Sequence, residues 1–344
     1  MNRTRPMVFV TQPETVEIWE RPLPSLGELD VLIKVKATAL CGSDLHIFKG
    51  KHPAVSLPIP VGHEIAGEVA EVGARVTKVK PGDRVAVEPV IVCGECHYCQ
   101  RGDYHLCANI SFQYRQGQGG LTTDFVTSER WVHLLPESIS YAAGALIEPL
   151  SVAVHAVRLV HLNMSESVAV FGAGAIGLFI LQVARAVGAG DIFISDIRES
   201  RLSAALDFGA SSAFNSLKCN PVEEIFKQTD GIGVQRAFEA VGLEITLNQA
   251  LQTLQKGGEA VLVGLFEEQR VALPANIFVQ KEISLVGSQG YQWDFQRAIE
   301  LIQQGKIDLE EMITHKFHLE QIQKAFETLI KPAQEAVKVV ISSE

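Results

Sequence analysis

The first 150 residues carry short runs of β-branched and apolar residues, kept apart by glycines and prolines. Val31–Lys36 and Asp83–Val87 are two such runs. Short runs of this kind, bounded by turn-forming residues, are typical of strands rather than of helices. The pattern therefore predicts an irregular, mostly antiparallel β domain over residues 1–150.

A different pattern occupies residues 151–287, where apolar strands alternate with helical segments. The clearest predicted strands are Val168–Phe171, Ile192–Ser195, Ala237–Glu239, Ala260–Gly264 and Ile283–Gly287. Alternation of this kind predicts a parallel sheet with helices on both faces, the doubly wound α/β arrangement. This part of the chain is predicted to be a second domain.

After residue 287 the pattern predicts two amphipathic helices and a final strand. The helices are Asp294–Gln304 and Leu319–Ile330, and the strand is Ala336–Ile341. A single strand at this point needs a sheet with which to pair. We therefore expect residues 288–344 to return to the first domain, which would make residues 151–287 an insertion.

The chain length and the net charge exclude some classes of protein. A chain of 344 residues is long for one hydrophobic core, which favours two domains. The net charge of −10 argues against nucleic-acid binding, because phosphate backbones attract clustered Lys and Arg. The N-terminus lacks the apolar stretch of a secretory signal, and the most apolar window, Val168–Val183, is too short for a comfortable membrane span. We expect neither nucleic acid nor membrane as a partner.

Six cysteines are present, and four of them fall within residues 93–107, in the sequence CGECHYCQRGDYHLC. This crowding suits metal binding in a reducing compartment better than a disulfide framework, so the expected location is cytoplasmic. Four thiolates complete a tetrahedral zinc shell, and the predicted ligands are Cys93, Cys96, Cys99 and Cys107. A closed shell leaves no position for a substrate, so the predicted zinc is structural. A redox pair would leave the fourth cysteine unexplained, and nothing in the sequence indicates the electron transfer of an iron–sulfur cluster.

The strand Val168–Phe171 runs directly into GAGAIG, which has the Gly-x-Gly-x-x-Gly spacing of a dinucleotide-binding loop. The loop residues expected to contact the cofactor are Gly172, Gly174, Ala175, Ile176 and Gly177. The helix that follows offers free N–H groups and a positive dipole end to the pyrophosphate. Asp196 ends the next strand, 19 residues after the last glycine, where a ribose-binding carboxylate is expected.

The alternative for this loop is a tight turn without a ligand, but strand, helix and acid together favour a cofactor site. Asp196 favours NAD over NADP because its charge repels a 2′-phosphate. Arg198 and Arg201 lie close by in the sequence and would weaken that preference. The predicted cofactor is NAD.

A chemical step needs a second, open metal site. The candidate ligands are Cys41 in LCGSDLH, His63 and Glu64 in VGHEIAGEV, and Glu148 in LIEPLSV. A thiolate, an imidazole and a carboxylate leave a fourth zinc position for water or substrate. Neighbours on a regular strand point to opposite faces, so His63 and Glu64 share a metal only if the backbone bends there. The third ligand is therefore either Glu64 or Glu148.

At these residues the sequence resembles the zinc-dependent medium-chain alcohol and polyol dehydrogenases. The shared motifs are CGSDLH at 41–46, GHE at 62–64, PGDRV at 81–85, the four-cysteine segment, EPLSVAVHA at 148–156 and the glycine loop. The resemblance covers almost the whole chain. It implies a β-rich catalytic domain resembling the GroES fold, with a Rossmann domain for NAD inserted before the last segment.

The resemblance also implies roles for individual residues. It assigns Cys41, His63 and one of the two glutamates to a catalytic zinc, which gives two zinc ions per chain. Ser43 resembles the hydroxyl that accepts the proton of the substrate alcohol, and His46 resembles the next group of a relay towards solvent. Two further residues match positions near the adenosine of the cofactor, Asp196 and Arg201. A homotetramer or homodimer is implied as well.

Within the family, EPLSVAVHA is most similar to polyol dehydrogenases, and residues 119–136 are similar to 2,3-butanediol dehydrogenases. The expected reaction is oxidation of a secondary alcohol of a polyol, vicinal diol or sugar acid to a ketone, with hydride transfer to NAD. The alternatives are an L-threonine 3-dehydrogenase-like activity and a catalytically silent NAD-binding relative. Arg115, in FQYRQGQ, either faces solvent or meets a carboxylate or phosphate, and Cys219 has no predicted role.

Overall fold

The chain forms two compact units in the computed structural model, which describes residues 3–52, 55–268, 270–331 and 335–343. The terminal unit is Met1–Glu148 with Asp308–Glu344, and the central unit is Pro149–Ile307. The second boundary thus lies at 307, where the sequence pattern placed it at 287. The reason is that the helix starting at Asp294 bonds to His155 of the central unit. Within the described residues, no helix has both the length and the apolar character needed to cross a membrane.

The terminal unit is built mainly from strands. Those before residue 148 are β1 (Thr4–Gln12), β2 (Thr15–Pro22), β3 (Asp30–Ala39), β4 (Ile59–Pro60), β5 (Glu64–Val72), β6 (Arg84–Val87), β7 (Val90–Ile91), β8 (Ser111–Phe112), β9 (Asp124–Ser128) and β10 (Val132–Leu134). The helices are α1 (Gly42–Phe48), α2 (His97–Gln100) and α3 (Tyr141–Ala145), and α4 (Ile147–Leu159) follows. β3 pairs antiparallel with β5 and β9, and Ile33, Val69 and Phe125 pack together beneath them. The predicted β-rich domain is confirmed.

The central unit alternates strands and helices. In chain order they are β11 (Val168–Phe171), α5 (Ala175–Ala186), β12 (Ile192–Asp196), α6 (Glu199–Asp207), β13 (Ser212–Asn215), α7 (Pro221–Gln228), β14 (Val234–Glu239), α8 (Glu244–Thr253), β15 (Leu254–Leu262), α9 (Ala275–Lys281), β16 (Ser284–Gly287) and α10 (Asp294–Gln303). The strand order is β13-β12-β11-β14-β15-β16, and all neighbours are parallel. This is the doubly wound Rossmann order, so the predicted fold class is confirmed. The order reverses beside β11, where such sheets bind ligands.

The last segment contains β17 (Ile313–Phe317), α11 (Ile322–Ile330) and β18 (Lys338–Ser342). β18 pairs antiparallel with β3, with Val340 opposite Ala39. The returning strand therefore joins the large sheet of the terminal unit. Its first residue, Lys338, lies beside the segment that follows β3, where the Nζ atom donates to the carbonyl of Leu40.

Candidate functional site

The four cysteines of residues 93–107 form one cluster, and their sulfur atoms all lie within 4.8 Å of one another. Cys96 precedes the short helix α2, which carries Cys99. The Sγ atom of Cys93 lies 3.5 Å from that of Cys107 and 4.0 Å from that of Cys99. A tetrahedron with Zn–S bonds of about 2.3 Å has S···S edges of about 3.8 Å, and the two separations of 3.5 and 4.0 Å lie on either side of that length.

Backbone N–H groups already stabilise negative charge on this cluster. Donation from the backbone of Cys99 and Ala108 lowers the pKa of the Cys96 thiol to about 6. Burial, followed by the neighbouring thiols, raises the pKa of Cys99 to about 12. The cluster therefore holds both thiolate and thiol near neutral pH, and a metal would displace the remaining protons.

A second cluster brings together Cys41, His63 and Glu64, whose donor atoms lie within 4.8 Å of one another. Cys41 is the residue before α1, and Glu64 is the first residue of β5. His63 precedes that strand and follows Gly62, whose φ of +92° turns the backbone. A side chain at position 62 would place its Cβ 2.6 Å from the backbone nitrogen of Leu121. Glycine at 62 thus permits the bend that lets two neighbouring residues face one point.

Asp44 connects the two loops of this cluster, a role that the sequence analysis missed. It is fully buried and accepts hydrogen bonds from the backbone of Cys41 at 3.0 Å and of Gly62 at 3.1 Å. Its Oδ1 lies 3.4 Å from Nδ1 of His63, close enough for an ion pair but not aligned as a hydrogen bond. The available signal was an acid three residues after a helix cap, the spacing of a capping box.

The contact with Asp44 leaves the other imidazole nitrogen of His63 free to face a metal. Ser43 lies on this side, with its Oγ 3.5 Å from Nε2. Burial would lower the pKa of His63, but the negative charges of Asp44 and Cys41 outweigh it and raise that pKa well above the usual value. A carboxylate behind a ligating imidazole is the usual arrangement at protein zinc sites, where it fixes the ring.

Lys338 is a second residue that the sequence analysis missed. Its side chain is 3% exposed, and its Nζ lies 2.5 Å from both carboxylate oxygens of Glu64. Burial would lower the pKa of Lys338, but the charges of Glu64 and Cys41 outweigh it and raise the pKa. The only sequence signal was a lysine inside the apolar strand AVKVVI.

The two candidate glutamates differ in position. Glu64 belongs to the cluster with Cys41 and His63, whereas the cluster found among the described residues does not include Glu148. Glu148 lies buried in the first turn of α4, and its charge contributes to the raised pKa of Lys338. Glu148 therefore lies near the cluster of Cys41, His63 and Glu64 but is not one of its three donor residues.

Aromatic rings border the cluster on one side. The ring centroids of Phe112 and Tyr114 each lie 6.0 Å from that of His63, and the two rings stack on each other at 5.7 Å. Both belong to the segment FQYRQGQ. The guanidinium of Arg115 lies 6.0 Å from the centre of the Tyr114 ring.

The glycine loop of the central unit is tightly packed at one glycine and open at another. A Cβ at Gly177 would lie 1.8 Å from the carbonyl oxygen of Gly172, so only glycine permits this close packing. At Gly174 the nearest atom to an added Cβ is 3.7 Å away, so the loop is open there. Gly174 precedes α5, whose first residues are Ala175 and Ile176. The free N–H groups of this helix start fit a pyrophosphate.

Asp196 lies at the end of β12 and holds the glycine loop in place. Its Oδ2 accepts the N–H of Ala173 at 2.8 Å, and its Oδ1 accepts the N–H groups of Ile197 and Arg198. The Nη1 atom of Arg201 lies 3.8 Å from Oδ2. The carboxylate therefore supports the turn that the glycine loop forms after β11.

Two family models match the chain: the alcohol dehydrogenase GroES-like domain over residues 27–137 and the zinc-binding dehydrogenase over residues 175–304. The D-arabitol-phosphate dehydrogenase of Enterococcus avium is 37% identical over 93% of this chain and 92% of its own length. The sorbitol dehydrogenase of Bacillus subtilis (strain 168) is 36% identical over 95% of this chain and 94% of its own.

A solved structure, that of 2R,3R-butanediol dehydrogenase from Bacillus subtilis, covers 99% of this chain and 100% of its own, with a TM-score of 0.90 and 32% identity. The resemblance inferred from the motifs is thus confirmed over nearly the full length. The chain belongs to the zinc-dependent medium-chain alcohol and polyol dehydrogenases, a family of oxidoreductases.

Proposed function

We propose that this protein oxidises a secondary alcohol of a polyol, vicinal diol or sugar acid to the ketone, with hydride transfer to NAD. The observation that carries the proposal is the three-donor cluster of Cys41, His63 and Glu64, with the hydroxyl of Ser43 beside it. A three-donor site leaves one position for a substrate oxygen, whereas the four-cysteine cluster does not. The names of the three relatives support a substrate with several hydroxyl groups.

Cys41, His63 and Glu64 are proposed to hold the catalytic zinc, and the four cysteines to hold the structural zinc. When bound, the catalytic zinc supplies a Lewis acid that lowers the pKa of a substrate hydroxyl, and the nicotinamide supplies the hydride acceptor. Asp44 fixes the His63 ring. Lys338 offsets the negative charge of Glu64. A zinc ion bound here would therefore be a stronger Lewis acid than one bound by a thiolate and an unpaired carboxylate.

Ser43 is proposed to accept the proton of the substrate hydroxyl, and His46 to carry it towards solvent. Both residues lie on α1, three positions apart, so their side chains share one face of the helix. An imidazole can take a proton at one ring nitrogen and release one from the other, which suits a relay. The hydroxyl of Ser43 is held near the metal ligands by its contact with His63.

The glycine loop is proposed to bind the pyrophosphate of NAD, and Asp196 its adenosine ribose. The carboxylate would repel a 2′-phosphate, which supports NAD over NADP. Arg201 lies close enough to reduce that repulsion, so the preference for NAD is expected to be moderate rather than absolute.

We also propose a cytoplasmic location and a homodimer or homotetramer. Four of the six cysteines gather in a metal-type cluster rather than in disulfide pairs, which supports a reducing compartment. Val279, on the helix before the terminal strand β16 of the central sheet, is 80% exposed. An exposed apolar side chain beside a sheet edge supports burial against another copy of the chain.

Initial rates of NAD reduction test the proposed reaction. The panel includes 2,3-butanediol, xylitol, sorbitol, galactitol, sugar acids and L-threonine, each with zinc-loaded and zinc-stripped protein. We expect a zinc-dependent rate on one group of secondary alcohols. Ser43→Ala should lower kcat on that group by about 10²–10⁴-fold while NAD binding stays intact. Equal kcat in the variant would remove Ser43 from the mechanism, and no turnover on any alcohol would refute the proposed reaction.

A further inference from the structure

The strand order of the central unit determines which half of a dinucleotide belongs to which strands. The order reverses beside β11, and the glycine loop proposed for the pyrophosphate follows that strand. Asp196, the proposed ribose-binding residue, ends β12 on one side of β11. β14 lies on the other side, followed by β15. Because a dinucleotide crosses such a sheet at the reversal, the nicotinamide half would be held at the carboxyl ends of β14 and β15.

Glu239 is the last residue of β14 and therefore lies at this end of the sheet. Its side chain is fully buried. Its Oε1 accepts the N–H groups of Val241 and Gly242, both at 2.9 Å, and the hydroxyl of Thr246 at 2.7 Å. Hydrogen bonds of this kind stabilise negative charge on a carboxylate. The side chain also holds the loop after β14 to the start of α8, which carries Thr246.

No neighbouring cation neutralises this carboxylate. Among the residues that the structure describes, Glu239 forms no ion pair with a lysine, an arginine or a histidine. Its second oxygen, Oε2, is buried and has no hydrogen-bond partner in the same part of the chain. This oxygen lies against Gly264, since a Cβ there would be only 2.5 Å from it. An uncompensated negative charge in a protein interior attracts a cation more strongly than it would in water.

The loops beside Glu239 are closely packed and carry exposed apolar side chains. A Cβ at Gly172 would lie 2.5 Å from Cγ2 of Val241, so the loop after β14 packs on the glycine loop. A Cβ at Gly242 would lie 2.3 Å from the carbonyl oxygen of Leu265, so the loop after β15 packs on the loop after β14. The exposed apolar side chains of these two loops are Val241, Leu243 and Leu265. Such a surface beside a binding loop suits a flat ring of a ligand.

We propose that Glu239 is a positioning and specificity-determining residue of the cofactor site, and that its buried charge favours binding of NAD⁺ over binding of NADH. The inference rests on the proposed binding of NAD at the glycine loop. The nicotinamide ring carries a positive charge in NAD⁺ and none in NADH, whereas the rest of the dinucleotide is the same. A fixed negative charge at the nicotinamide half therefore stabilises the oxidised cofactor selectively. This preference suits a protein that begins its reaction with NAD⁺.

Dissociation constants of the two cofactor forms test the proposal on zinc-loaded protein without an alcohol. NADH binding is followed by the fluorescence of NADH, and NAD⁺ binding by displacement of NADH. Glu239→Gln keeps the size and one acceptor oxygen of the side chain but removes its charge. It should raise the Kd for NAD⁺ relative to the Kd for NADH by about 3–10-fold, the order expected for one charge acting through a protein interior.

Two further variants separate the charge of Glu239 from the shape of the loop. Thr246→Val removes one hydrogen bond and keeps the charge, so it should change both dissociation constants by the same factor. Glu259→Gln is the matched control, because Glu259 is a carboxylate earlier on β15 that accepts the hydroxyl of Ser284 at 3.2 Å. It should keep both wild-type constants.

A neutral analogue of NAD⁺ tests the wild-type protein directly, so that the test stands even where Glu239→Gln does not fold. Benzamide adenine dinucleotide keeps the aromatic ring and the carboxamide but lacks the positive charge. The wild-type protein is expected to bind NAD⁺ about 3–10-fold more tightly than this analogue. Equal or tighter binding of the analogue would overturn the proposed effect of the charge.

The remaining outcomes separate this proposal from the one on which it rests. Equal changes of both dissociation constants in Glu239→Gln, or no change in either, would overturn the charge effect and leave the proposed reaction standing. A change of their ratio in Thr246→Val as large as that in Glu239→Gln would assign the effect to loop shape and overturn it as well. A wild-type protein that binds neither NAD⁺ nor NADH would refute the proposed cofactor site itself.

Discussion

At the scale of single residues, Asp44 combines two functions that are usually separate. Its carboxylate ties the backbone of Cys41 to that of Gly62, and it lies behind the His63 imidazole. The first contact sets the distance between two loops, and the second fixes the orientation of a ring. Asp44 thus contacts both the His63 ring and the two loops that carry the proposed zinc ligands. Its loss should therefore lower the affinity for zinc more than it lowers the free energy of unfolding.

Asp44→Asn is therefore expected to weaken binding of one zinc ion by about 10–100-fold, because the amide keeps the size of the side chain but loses its charge and one acceptor. Zinc content after dialysis against a competing chromophoric chelator measures the affinity directly, without any assay of turnover. The control is Asp83→Asn, since Asp83 accepts a backbone N–H from Lys80 in a turn of the same unit. Equal zinc retention in the two variants would show that Asp44 acts on the backbone alone.

At the scale of elements, α4 and α10 are joined by one buried carboxylate in the central unit. Asp294 is fully buried at the start of α10, and its Oδ2 lies 3.0 Å from Nδ1 of His155. Arg158, also on α4, forms an ion pair with the same carboxylate, and the N–H of Gln292 donates to it at 2.9 Å. Burial would raise the pKa of Asp294, but these partners outweigh it and lower the pKa below its usual value.

This depressed pKa predicts a pH-dependent contribution to stability. A carboxyl group whose pKa is lower in the folded state contributes fully above its unfolded pKa of about 3.9, and the contribution is lost as pH falls through the folded pKa. Asp294→Asn should therefore lower the free energy of unfolding by about 1–3 kcal/mol at pH 6, and by less as pH falls below about 4. Urea unfolding of both proteins at several pH values, followed by tryptophan fluorescence, measures the difference.

The same titration contains its own control. Any effect of acid on the metal sites or on exposed carboxylates acts on both proteins alike and cancels in the difference. Asp308→Asn provides a matched change, since Asp308 accepts the exposed N–H of Glu311 in a turn outside the central unit. A difference between wild type and Asp294→Asn that stays constant down to pH 3 would show that folding does not lower the pKa of Asp294.

At the scale of the whole molecule, features formed within a short segment could be predicted from the sequence, whereas contacts between distant segments could not. The glycine loop and the four cysteines lie within short segments whose spacing carries the chemistry, so both were found. Lys338 and Glu64 are 274 residues apart, and only the pairing of β18 with β3 brings them together. The donor atoms of His63 and Glu64 face one point only because Gly62 adopts a positive φ. The sequence alone does not give that backbone angle.

The two candidate metal clusters differ in their number of donor residues, three in one and four in the other. This difference predicts that a chelator removes the two zinc ions in two stages. The cluster of Cys41, His63 and Glu64 has three donors, and one of them is already held by Lys338. The four-cysteine cluster has four donors and would leave a bound zinc ion no open position. We expect the first zinc removed to abolish NAD reduction with little change in Tm. Removal of the second should lower Tm and open residues 93–107 to proteolysis, because the metal stabilises that segment.

Site-selective variants assign the two stages. His63→Ala should start with one zinc per chain, no turnover and a nearly unchanged Tm. Cys93→Ser should also start with one zinc but with a lowered Tm, and its kcat should fall only at temperatures where unfolding begins. Metal content, Tm and rate, measured on the same samples along a chelator titration, distinguish these cases. A Cys93→Ser protein with normal Tm and no activity would contradict the structural assignment, because the four-cysteine metal would then take part in the chemistry.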